Sequence, residues 1–136
     1  MHSTNYHNTL IEIAEDSPTE TGEMPPLRGD NKSVANLQFE MLYDHPYQFT
    51  SDDILFSVFA QRKDIPKEEW EEARQQFFSK GQPCFRASPL TKRYGWGVHS
   101  NAAGKIALYG AESEAYQKLV EDESIKKVKA MRSKRK

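Results

Sequence analysis

The chain has 136 residues, of which 37% are hydrophobic and 29% charged, with a formal net charge of −1. That length suits one domain able to build its own core, and the modest apolar share points to a compact body with polar ends, not to disorder throughout. A single cysteine, Cys84, excludes an internal disulfide and any zinc cluster built from several cysteines.

The first residues, Met1-His-Ser-Thr-Asn-Tyr6, lack the basic region and apolar run of a signal peptide. No apolar stretch approaches the ~18–20 residues of a membrane span, so the expected location is the cytoplasm. From Lys126 onward every charged residue is basic, seven in all, so the net charge divides into +7 on the tail and −8 on the body. A basic tail on an acidic body leaves nucleic acid or an anionic surface open as a partner. It also reads as a helical end fraying into a solvated tail, or as a tail folded back on the acidic body.

In chain order, Thr9-Leu-Ile-Glu-Ile-Ala14 reads as a strand, β-branched and apolar. Residues 15–30 collect Pro18, Gly22, Pro25, Pro26 and Gly29 and read as a long loop. Ser33 is placed to cap a helix carrying Val34, Leu37, Met41 and Leu42 at helical spacing, with His45-Pro46 ending it. Thr50-Ser-Asp-Asp53 has the pattern of an N-cap with acidic residues in the first turn, ahead of Ile54, Leu55, Val58 and Phe59. Pro66 suits the first turn of a third helix with Trp70, Ala73 and Phe77 as its inner stripe, and Gly81 suits a left-handed C-cap.

Beyond Gly81 the period changes. Gln82–Arg86, Tyr94–Ser100 and Lys105–Tyr109 read as strands, and Asn101-Ala-Ala-Gly104 reads as the hairpin loop between the last two. Ser113 is placed to cap a last helix through Tyr116, Leu119 and Val120, continuing weakly into the tail. The expected fold is α+β: a small antiparallel sheet of about four strands with helices packed on one face, in the order β-α-α-α-β-β-β-α. Residues 1–121 form the expected single domain, and residues 122–136 a basic tail that is a helical extension or disordered.

A four-residue loop opposes Ser100 to Lys105 and sorts the hairpin into two faces. One collects Gly95, Gly97, His99, Ile106 and Leu108 and reads as core. The other collects Tyr94, Trp96, Val98, Ala107 and Tyr109, an aromatic ribbon that either completes the core or walls a ligand groove. Arg86, Lys92 and Arg93 stand beside it and suit an anionic ligand. Cys84 and His99 are the candidate thiol and imidazole of a catalytic pair, with no third orienting group evident. His2, His7, His45 and His99 lack the spacing of a metal site, and Glu68-Glu69-Trp70-Glu71-Glu72 reads as a solvated helix face. No cofactor motif is present, and a homodimer is compatible with the sequence.

The strings Thr50-Ser-Asp-Asp-Ile-Leu-Phe56, Lys80 through Asn101, and Leu108-Tyr-Gly110 resemble a family of small microbial proteins classed only as a domain of unknown function. The resemblance runs from Asn5-Tyr6 to about Tyr116, leaves out the basic tail, and implies a shared fold without an assigned activity. Gly81, Pro83, Phe85, His99, Leu108 and Tyr109 are similar in order to frataxin-like domains of the iron-chaperone type. The leading functional expectation is a non-enzymatic ligand-binding or protein-interaction domain with its site near residues 86–99, formed by Arg86, Lys92, Arg93, Tyr94, Trp96, His99 and Tyr109. An enzyme using Cys84 and His99, and a metal- or iron-handling protein of frataxin-like fold, are the alternatives.

Overall fold

The structure, a computed structural model, describes residues 2–133; Lys134, Arg135 and Lys136 of the basic tail lie outside the described residues. Strand β1 (Thr9–Glu12) is followed by helix α1 (Val34–Tyr43), the short strand β2 (Phe49–Thr50) and helix α2 (Ser51–Arg62). Helix α3 (Trp70–Phe77) and the single turn α4 (Pro89–Lys92) precede strands β3 (Trp96–Ser100) and β4 (Lys105–Gly110). Helix α5 (Glu114–Glu121) and strand β5 (Lys126–Lys129) end the described chain. The class is α+β, and the sheet has five strands in the order β2-β4-β3-β1-β5.

Local chemistry sets the helix starts. The Ser33 hydroxyl accepts from the Asn36 N–H while the Asn36 side chain accepts from Ser33 N–H, and Thr50 and Asp53 repeat the same reciprocal box on α2. The neighbouring carboxylate, Asp52, reaches another segment instead, accepting from the Thr4 N–H at 2.7 Å and from the Ser3 hydroxyl at 2.8 Å. The N-terminal segment is thereby tied to the start of α2.

Several expectations are corrected. The sheet is mixed, because β5 runs parallel to β1. Lys126–Lys129 is therefore a strand, where a helical extension or disorder was expected. The helix before it stops because the Asp122 carboxylate accepts from both the Ser124 N–H and its hydroxyl, a local turn that competes with further helix. Residues 82–86 form no strand. Pro83 has no N–H to give a ladder, and the chain turns through Phe85–Ala87 into α4, where Ser88 caps and Pro89 takes the first helical position. Gly81 is not left-handed, since α3 ends at Phe77 and the Gln82 side-chain amide donates to the Phe77 carbonyl at 2.7 Å.

The hairpin register also differs, by one residue. Ser100 opposes Ile106, not Lys105, and the pairing runs on to Trp96 opposite Gly110. Asn101 belongs to the ladder, with its N–H on the Lys105 carbonyl, and its side chain accepts from the N–H groups of Ala103 and Lys105. Three residues make the loop, and Gly104, at φ 82°, supplies the left-handed position that such a loop needs. The shift exchanges the partners of the two faces. Trp96 and Val98 now share a face with Ile106 and Leu108, while Gly97 and His99 share the other with Ala107 and Tyr109.

Each face has its own cover. Ile11, Val98 and Ile106 pack with Leu42 of α1, Ile54 and Val58 of α2, and Phe85. On the other face Leu10 packs with Tyr116 of α5 and with Tyr109. The Tyr116 ring lies directly over Gly97, where a Cβ would stand 2.4 Å from it. Helices thus cover both faces, not one as the sequence suggests. At ~25 cal/mol per Å² of apolar surface removed from water, this double cover supplies the main stabilising contribution.

Candidate functional site

Trp96 is a core residue, 8% exposed. Its ring packs on Phe39 and against the edge of Tyr43 from α1, and its indole N–H donates to the Glu23 carbonyl at 2.8 Å. The long loop closes the cover, since the Glu23 N–H in turn donates to the Tyr94 carbonyl. Gly95 fixes this approach: it sits at φ 75°, and any Cβ there would meet the Thr21 carbonyl oxygen. With its ring covered and its donor used, Trp96 is no open platform for a ligand.

Lys92, Arg93 and Tyr94 converge with the same long loop on a cleft of about 470 Å³. α4 carries Lys92 at its end, Arg93 and Tyr94 follow it, and Pro26 and Arg28 come from the loop opposite. The loop is pinned by Asn36, whose side-chain amide donates to the Pro25 carbonyl at 2.9 Å. The first turn of α1 forms the floor through Ser33, Ala35 and Asn36. No carboxylate lines the cleft. Among the described residues, the Arg28, Lys92 and Arg93 side chains have neither an ion-pair nor a hydrogen-bond partner. Arg28 lies far from this segment in sequence, and only the fold shows that the two meet.

The remaining candidates separate into other places. Arg86 is structural: its guanidinium Nε donates to the Lys129 carbonyl at 2.7 Å, and its own carbonyl accepts from Met131 N–H. His99 and Tyr109 lie on the α5 face in a chain of polar rings. The Tyr47 hydroxyl is 2.8 Å from His99 Nδ1 and 2.7 Å from the Tyr109 hydroxyl. Burial pushes the His99 pKa below its ordinary value, partly countered by the negative charge of Asp122. Burial and the Tyr109 hydroxyl push the Tyr47 phenol far above the ordinary tyrosine range. Tyr47 is held at φ 60°, a strained position for a bulky residue.

Cys84 is half-buried, with its Sγ 3.6 Å from the Tyr6 hydroxyl. It lines a second cleft of about 480 Å³ with Leu55, Val58 and Phe59 of α2. This cleft belongs to the α1/α2 face, opposite to His99, so the structure does not bring the thiol and the imidazole together. Among the described residues, no group of three His, Cys, Asp or Glu side chains is placed to hold a metal ion. Among them, too, no helix is long and apolar enough to cross a membrane.

The family model for DUF6157, a family of unknown function, matches residues 1–136. The chain belongs to this family. The match extends through the basic tail, which the resemblance read from the sequence left out. No curated protein and no solved structure matches the chain, and the frataxin-like similarity draws no support from one.

Proposed function

We propose that this DUF6157 member is a non-enzymatic binding protein for a small anionic ligand, held in the cleft between Arg28 and the Lys92–Tyr94 segment. The observation that carries the reading is the convergence of three cations, without counter-ions among the described residues, on a cleft that no carboxylate lines. Like charges gathered without partners repel one another, and an anion bound between them removes that cost while gaining charge-assisted hydrogen bonds. Tyr94 adds an aromatic wall, and the first turn of α1 adds the positive end of its dipole. The lone thiol of Cys84 suits a protein of the reducing cytoplasm.

Inorganic phosphate titrated into the labelled protein is expected to shift the Lys92, Arg93 and Tyr94 amide signals saturably in the millimolar range. Arg93→Ala is expected to weaken binding about tenfold, and added salt to weaken it further. Unchanged spectra, or shifts indifferent to Arg93→Ala, would remove the reading. A second reading, an acidic segment of a partner protein, is favoured by Met24 and Leu27, which lie 72% and 61% exposed on the loop that supplies Arg28. Met24→Ser with Leu27→Ser leaves phosphate binding intact under either reading and weakens peptide binding only under the second.

A further inference from the structure

The cleft beside Cys84 shares Val34, Ala87 and Pro89 with the basic cleft but has a different character. Its walls are apolar, with Leu55, Val58, Phe59 and Phe77 prominent. One polar side chain in it stands out. Gln38 is only 3% exposed and lines the cleft from α1. Its Oε1 accepts from the Ser88 hydroxyl at 2.5 Å. That hydroxyl already accepts from the Leu90 N–H, so its own proton goes to Gln38, and this orients the amide. The Nε2 group is left with two N–H donors and no acceptor among the described residues. Every sealed side-chain polar atom of the described residues has a partner, so Nε2 is not sealed, and Gln38 is among the residues that line this cleft. Arg62 and Lys63 line the same cleft, and among the described residues their side chains have no ion-pair partner either.

We propose that this second cleft binds a medium-chain or aryl carboxylate. The apolar body lies against Val58, Phe59 and Phe77, and a carboxylate oxygen accepts from Gln38 Nε2. Arg62 and Lys63 supply the attraction that selects an anion over an amine. Beside the Gln38 donor and the Gln82 amide oxygen, the charged groups here are two cations, which repel an ammonium group, and the apolar walls give a hydrated inorganic anion little to gain. The proposal stands independently of the basic cleft. Cys84 lies in the wall, so an occupant shields its thiol.

Octanoate is titrated into the labelled protein, with octylammonium and inorganic phosphate as controls, and Cys84 alkylation by iodoacetamide is followed in parallel. Octanoate is expected to shift the Gln38 side-chain amide pair and the Leu55–Phe59 signals saturably and to slow Cys84 alkylation; octylammonium is expected to do neither. Gln38→Met is expected to weaken octanoate about tenfold. If that variant misfolds, the exposed pair Arg62→Ala with Lys63→Ala decides, with several-fold weaker binding expected and an otherwise native spectrum. The proposal is overturned if octanoate leaves Gln38 unshifted, if octylammonium acts equally, or if Cys84 reacts at the same rate at saturating octanoate. Octanoate shifts confined to Lys92, Arg93 and Tyr94 would overturn it while supporting the anion reading of the basic cleft. Phosphate shifts at those residues beside octanoate shifts at Gln38 support both.

Discussion

At His99 the ring nitrogen Nδ1 meets the Tyr47 hydroxyl, and the protonation states of the two groups constrain each other. The Tyr47 phenol stays protonated throughout the neutral range, and its single proton is shared between two neighbours, His99 Nδ1 and the Tyr109 hydroxyl. Burial lowers the His99 pKa, so in the folded chain the imidazole beside this hydroxyl is neutral above the ordinary histidine value. The unfolded chain takes up a proton at His99 near the ordinary value of 6.5, whereas the folded chain resists until a lower pH. Stability from this group is therefore complete above about 6.5 and is lost as the pH falls through the folded value. Urea midpoints measured at pH about 7.5 and about 5 should fall on acidification, and His99→Gln should flatten that part of the profile. A slope unchanged in His99→Gln would assign the effect to another group. Tyr47→Phe, which removes the shared hydroxyl, should cost about 1 kcal/mol at neutral pH.

On the scale of elements, β5 depends on contacts made from outside the sheet as well as on its ladder with β1. Arg86 holds its end through the Lys129 carbonyl and the Met131 N–H, while Val128 packs on the core from the strand itself. Arg86→Ala removes one charge-assisted hydrogen bond, of about 1.5–3 kcal/mol, from a strand paired on one side only. Hydrogen exchange at Val128 and Ala130 should accelerate far more than at Leu10 or Val98; equal acceleration would show that β5 opens only with the whole sheet. The same element marks where sequence reading stops. Lys126-Lys-Val-Lys129 has no run of apolar alternation, and its pairing with β1 is parallel and long-range, so no local signal announces it. The caps at Ser33 and Thr50 were legible because residues three apart decide them. The hairpin was legible as an element but not in register, because the Asn101 side chain shortened the loop by one residue. Lys92, Arg93 and Tyr94 stood out as a basic and aromatic cluster. Arg28 did not, since it reaches the cleft only through the folding of a long loop. Gln38 did not either, because a glutamine on a helix ordinarily reads as solvated until its neighbours bury it.

For the molecule as a whole, the sheet separates two chemistries that lie close together in sequence. Cys84 faces the layer of α1 and α2, whereas His99 pairs with Leu10 on the side covered by α5. Layers packed on a sheet stand ~10 Å from it, well beyond the ~3 Å that proton transfer between a thiol and an imidazole needs. The group that does meet Cys84 is the Tyr6 hydroxyl, whose own pKa is raised by burial and by the thiol. A thiol activated by His99 would lose reactivity when the imidazole is replaced, and its alkylation would follow the histidine titration. With the sheet between them, His99→Gln is expected to leave the rate of Cys84 alkylation, and its dependence on pH, unchanged. Tyr6→Phe, by removing the hydroxyl that touches the sulfur, is expected to alter that rate. A loss of Cys84 reactivity in His99→Gln, with the amide spectrum otherwise native, would mean that the two faces communicate and would restore the catalytic pair. Independence at the two sites is also what additivity requires of residues that share no partner: the His99→Gln, Tyr6→Phe double variant should alkylate at the rate of Tyr6→Phe alone.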